Sequence, residues 1–172
     1  MVSEPTTGEL RTPDATFADA DDLAALWVKA YQGEVTGEVL FATAAEATTD
    51  PDHRRKLEVL AELERKTREA CAPAMVRHGL PTDPDPQTVA DARLLGEAVA
   101  QMSWSEFMAS FAPITAEFLV LYRRIGQVSP ADSAESDLLV AHENALAEFA
   151  LRELAGATDD SLELIEALPH LN

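Results

Sequence analysis

Several ionisable side chains stand where a helical chain would turn them inward. Glu34 and Glu38 lie in the stretch YQGEVTGEVLF, each following a glycine. Glu64 follows in LEVLAELERKTREA, and His142 and Glu143 adjoin in LLVAHENAL. Glu106 and Glu117 are the candidates between them. Glutamates at i and i+4 of one helix repel by roughly 0.2–0.5 kcal/mol, and an unpaired buried carboxylate is far more costly. Such groups persist when they are paired, hydrogen-bonded, protonated or bound to a metal. Carboxylates with an imidazole suit iron or manganese. The same groups without a metal suit proton transfer, because close carboxylates raise one another's pKa.

The elements that must position these groups are helices. Asp50-Pro51, Asp85-Pro86 and Ser129-Pro130 each join a capping residue to a proline, and Gly79, Gly126 and Gly156 stand where helices should stop. These signals predict helices over 19–48, 51–78, 86–125 with a bend near Pro113, and 130–155, then a short helix over 161–168. No segment alternates with period two, so no sheet is expected. The expectation is an all-α, antiparallel four-helix bundle with a short C-terminal helix. Residues 1–16 are expected to form a flexible tail and 17–172 a single domain.

At about 100° per residue, Leu23, Trp27, Ala30, Tyr31, Phe41 and Ala45 share one stripe. Glu34 and Glu38 fall in its middle. Glu64, Thr67 and Cys71 lie along the centre of the next stripe, and His142 is central on the last, with Glu135 and Glu153 nearer its ends. Glu106 continues the line of Leu95, Val99 and Met102, and Glu117 flanks Ile114, Phe118 and Leu121. The chain carries 13 Lys and Arg against 31 acidic residues. No arginine falls on the stripes beside Glu34, Glu38 or Glu64, and the run HRRK (53–56) reads as a solvated helix start.

Composition bounds the partners. A net charge of −18 repels phosphate backbones and anionic membranes, so neither nucleic acid nor a membrane surface is expected as a partner. The single cysteine, Cys71, excludes an intrachain disulfide and reads as a core residue. No apolar run is long enough to span a bilayer. The N-terminal stretch has neither the basic head nor the apolar core of a secretory signal, so a cytoplasmic location is expected.

Helices that each project an inward carboxylate or histidine at mid-height resemble the ferritin-like superfamily of diiron-carboxylate four-helix bundles. The lines GEVTGEVLFATAAE and LEVLAELERKTREA look like its first helix pair. The resemblance covers roughly residues 19–156 in architecture and a few positions in motif. It implies an Fe or Mn site, with Glu34 or Glu38, Glu64, Glu106 or Glu117, and His142 or Glu143 as the ligands. Neither Glu-x-x-His motif of that superfamily is intact: Thr67 stands three residues after Glu64, and Leu139 three before His142.

Three functions follow as expectations. The first is a metal-dependent oxidoreductase acting with dioxygen or a peroxide, in which Tyr31, Glu38, Glu64 and His142 take part in catalysis. The second is a metal-free acid/base enzyme using Glu34, Glu38, Glu64 and His142 on a small apolar substrate. The third is a non-catalytic helical module for binding or homodimerisation. Plainer readings stand beside them: Glu64 as a buried glutamate bonded to Thr67 or Tyr31, His142 as a satisfied core histidine, and His78 as a cation favouring a helix C-terminus.

Overall fold

A computed structural model describes residues 22–171, and the expected tail and the first residues of the first predicted helix lie outside them. The protein is all-helical, with no strand among the described residues. Helix α1 spans Leu23–Ala47, α2 Pro51–Arg77, α3 Pro86–Val99, α4 Trp104–Val128, α5 Ser133–Ala155 and α6 Glu163–Glu166.

The cap signals act at two of the three expected starts, Asp50-Pro51 and Asp85-Pro86, and Asp22 supplies a further cap at α1. Asp22, Asp50 and Asp85 accept hydrogen bonds from the first free N–H groups of α1, α2 and α3. Two stops follow the glycine signals, since Gly79 and Gly156 take left-handed φ values of 65° and 79° that side chains resist. Gly126 does not stop a helix. It lies inside α4, where a Cβ would stand 2.6 Å from Ser136 Oγ on α5. Ser129-Pro130 opens a 3-10 turn, Pro130–Asp132, before α5 begins.

The long helix expected over 86–125 is two helices. Pro113 sits inside α4, and the break falls instead at 100–103. Ser103 opens α4 with a capping box: its hydroxyl accepts from Glu106 N–H, and the Glu106 carboxylate accepts from Ser103 N–H. Two reciprocal bonds satisfy the free ends of a new helix and outcompete continuation of the old one.

Two apolar clusters form the core. One gathers Phe41, Leu60, Leu63, Phe107, Phe111, Leu146 and Phe149. The other gathers Trp27, Tyr31, Val35, Cys71, Met75, Leu121, Tyr122 and Leu139. Helices α1 and α5 run from the second cluster to the first, and α2 and α4 run from the first to the second. The direction is therefore up, down, down, up for the four long helices, and α3 returns the chain across the molecule, packed on α1. Contacts pair α1 with α2 and α4 with α5, and close α1 on α4 and α2 on α5. Between the two clusters lies a polar layer: Glu34 and Glu38 on α1, Glu64 and Thr67 on α2, Thr115 on α4, and His142 and Glu143 on α5.

Other ion pairs clamp the ends. Lys56 is not solvated, as the HRRK reading expects, but 1 % exposed, with Nζ 2.8 Å from Glu153 and 2.7 Å from Asp52. Its position on the inward side of α2 sets it apart from exposed Arg54 and Arg55. At the opposite end, buried Asp132 accepts from Trp27 Nε1, Ser129 Oγ and Arg77 and contacts His78 Nε2 at 2.6 Å. His78, which ends α2, therefore has a carboxylate hydrogen-bond partner besides the helix terminus.

Candidate metal centre

Three side chains from three helices converge in the polar layer. Glu34, Glu64 and His142 each offer a ligand atom within 4.8 Å of the others. His142 Nε2 stands 3.6 Å from Glu34 Oε2, 3.7 Å from Glu64 Oε2 and 3.9 Å from Glu143 Oε2. All four residues are 5 % exposed or less. These separations are too long for hydrogen bonds. They are close to the spacing around one ion: ligands about 2.1 Å from a common centre stand ~3.4 Å apart in a tetrahedron.

The local sequence explains the convergence. Glu64 lies across from Gly37, where a Cβ would come within 2.5 Å of the Glu64 Cδ. Gly37 is thus the seat of a carboxylate, and Gly33, one turn earlier, is the seat of the Phe118 ring at 2.6 Å. Glu34 lies between these seats. Its Oε1 accepts from Tyr122 Oη at 2.7 Å, while its buried Oε2 has no donor among the described residues other than a protonated Glu64 carboxyl.

Electrostatics follow from burial and crowding. Burial, then the charge of Glu34, pushes the Glu64 carboxyl well above the usual range. The same causes raise Glu143 to about 9. The Tyr122 phenol is also pushed well up by burial and by Glu34. His142 is held below its ordinary value by burial, which outweighs the pull of Glu34. At neutral pH the metal-free site therefore holds a neutral imidazole facing a protonated Glu143 carboxyl and a Glu64 carboxyl shifted toward its protonated form, and a bound cation would displace such protons. One imidazole with two or three carboxylates is a donor set suited to iron or manganese, and the ligand atoms of Glu34, Glu64 and His142 converge within 4.8 Å.

The other predicted residues stand elsewhere. Glu38 is not in the triangle, because Arg68 reaches across from α2 to pair with it at 2.9 Å. Its charge still contributes to raising Glu64. The expectation that no arginine lies near these glutamates is corrected by that contact. Tyr31 donates to the Thr82 carbonyl at 3.0 Å, and its oxygen faces Arg68 at 3.5 Å, so it belongs to the 79–85 loop rather than to the site. Glu106 is the exposed partner in the α4 capping box, and Glu117 is exposed on α4. Tyr122 occupies the place foreseen for Tyr31. Its signal was its position close to the apolar line of α4.

Thr67 is bonded to neither Glu64 nor Tyr31. Its hydroxyl lies 3.0 Å from His142 Nδ1 and 2.9 Å from His170 Nε2. His170 has no helical periodicity to mark it. It is carried in by the final 3-10 turn, Pro169–Leu171, which Lys66 anchors through the Leu171 carbonyl at 2.7 Å.

A cavity of about 220 Å³ reaches the site from the surface between α1, α3 and α4. Its walls are mainly Phe41, Phe107, Phe111, Phe118 and Leu146, with half-exposed Leu95 and Ile114 near its mouth and Glu34, Glu64 and Glu143 at its polar end. The hydroxyls of Thr36, Ser110 and Thr115 in its walls donate to carbonyls of their own helices.

No family model, curated protein or solved structure matches the chain. Among the described residues, no helix is long and apolar enough to cross a membrane.

Proposed function

We propose that this chain is a metal-dependent oxidoreductase built as an atypical ferritin-like four-helix bundle. In this reading Glu34, Glu64 and His142 hold one Fe or Mn ion, with Glu143 within reach as a further ligand. The observation that carries it is the convergence of buried Glu34, Glu64 and His142, whose ligand atoms lie within 4.8 Å of one another with Glu34 Oε2 3.6 Å from His142 Nε2. The up-down-down-up order with a single crossover supports the architecture, since ferritin-like bundles use one long crossover. A bound ion of this kind would supply one-electron chemistry toward dioxygen or a peroxide. The chain's own groups do the rest. Tyr122 fixes the Glu34 carboxylate. The cavity walls exclude water and admit a small neutral apolar molecule, because among the described residues no Lys, Arg or His lines them to receive an anion.

The test is metal content. Protein purified after growth with added iron and manganese is expected to carry about one ion per chain and to consume dioxygen when a small hydrocarbon is supplied. Protein that carries neither ion overturns the reading. A metal-free acid/base enzyme is the second reading, favoured by Glu143 at about 9 beside a neutral His142. It predicts turnover without metal and a rate that changes between about pH 5 and pH 8.

A further inference from the structure

A buried hydroxyl between two imidazoles can donate its one hydrogen to only one of them. Thr67 is fully buried, and the two ring nitrogens are its hydroxyl's hydrogen-bond partners among the described residues. It must therefore give to one histidine and receive from the other. If His142 Nδ1–H donates to Thr67 and Thr67 donates to His170 Nε2, the His142 Nε2 lone pair is free and faces Glu34, Glu64 and Glu143. If the chain runs the other way, Nε2 carries the hydrogen and cannot bind a cation. The near-equal spacing of Nε2 from three carboxylate oxygens is not that of an N–H aimed at one acceptor.

We infer that His170, acting through Thr67, is a positioning residue that selects the His142 tautomer with Nε2 open to the metal. This rests on the metal-site reading above. The final turn would then be part of the centre, its hydrogen-bond acceptor delivered to Thr67 by the anchor between Lys66 and the Leu171 carbonyl. In that arrangement His170 is a neutral imidazole with its hydrogen on Nδ1 and Nε2 accepting from Thr67, and burial, His142 and Lys66 all disfavour the cation that would have no acceptor to offer. A group behind a metal-binding histidine commonly changes affinity 10–100-fold when it is lost.

Two substitutions separate acceptor from donor. His170→Gln keeps an acceptor oxygen, and His170→Lys offers donors only. Nitrogen-15 spectra of the metal-free protein should show His142 as the Nδ1–H tautomer in wild type and His170→Gln, and as Nε2–H in His170→Lys. Zinc, used as the probe ion, should bind His170→Gln within about threefold of wild type and His170→Lys at least tenfold more weakly. A through-space charge effect of the new lysine would weaken zinc without exchanging the tautomer. An Nε2–H tautomer in wild type, or the same tautomer in both variants, overturns the inference. If the tautomers behave as stated while wild type binds no zinc, the metal reading fails and the positioning role stands.

Discussion

A methyl group at position 37 would collide with the Glu64 carboxylate, 2.5 Å from its Cδ and 2.7 Å from Oε2. At position 33 it would collide with the Phe118 ring instead. Both substitutions to alanine add strain of about 1–3 kcal/mol, partly offset by about 1 kcal/mol of helix propensity. Only Gly37→Ala displaces a residue of the proposed metal site. It is expected to weaken manganese binding at least tenfold, whereas Gly33→Ala leaves that affinity within about threefold, both read by titration of metal-free protein. Glu38→Gln removes half of a partly exposed ion pair with Arg68. It should change stability by about 0.2–1 kcal/mol in thermal unfolding and leave metal content unaltered. Sequence alone brings Glu34 and Glu38 to the same stripe because they are only about 40° apart around the helix. What separates them is Arg68, whose long side chain reaches from the neighbouring helix, and no reading of α1 by itself contains that contact.

At the scale of elements, the break between α3 and α4 rests on Ser103 and Glu106. Ser103→Ala is expected to cost about 1 kcal/mol in chemical denaturation without altering metal affinity. Glu106→Gln retains an acceptor for Ser103 N–H and should be close to neutral in both measurements. A large loss of metal with Glu106→Gln would restore it as a ligand. The Ser-x-x-Glu signal was present in the sequence, but an acidic residue in line with apolar neighbours looks the same whether it caps a helix or faces a core. The proline-led starts were legible because Asp-Pro acts locally. The inward turn of Lys56 was not, because it depends on Glu153 arriving from α5, far along the chain. The place of His170 depends in the same way on where the last turn docks against α2.

At the scale of the whole molecule, the polar layer divides the core in two and makes metal-free stability depend on pH. The folded-state values of Glu64 and Glu143 lie above those of an unfolded glutamate, so the folded protein binds more protons between them. Stability then falls as pH rises from the ordinary carboxylate range near 4.5 toward about 9, the Glu143 value. Thermal unfolding of metal-free protein from pH 5 to pH 9 should show this decline, and Glu143→Gln should flatten it. The all-helical class was legible in composition and caps. The crossover by α3 was not, since the direction of α4 is set by which apolar cluster each of its ends joins. The proposed function requires one cation between Glu34, Glu64 and His142. Equilibrium dialysis of metal-free protein against manganese, run beside Glu64→Leu, tests it most directly. About one ion per wild-type chain is expected, and loss of that ion in Glu64→Leu together with a higher unfolding temperature, since an apolar group replaces a buried acid. Wild-type protein that binds no manganese, or Glu64→Leu that binds it equally well, would overturn the metal site.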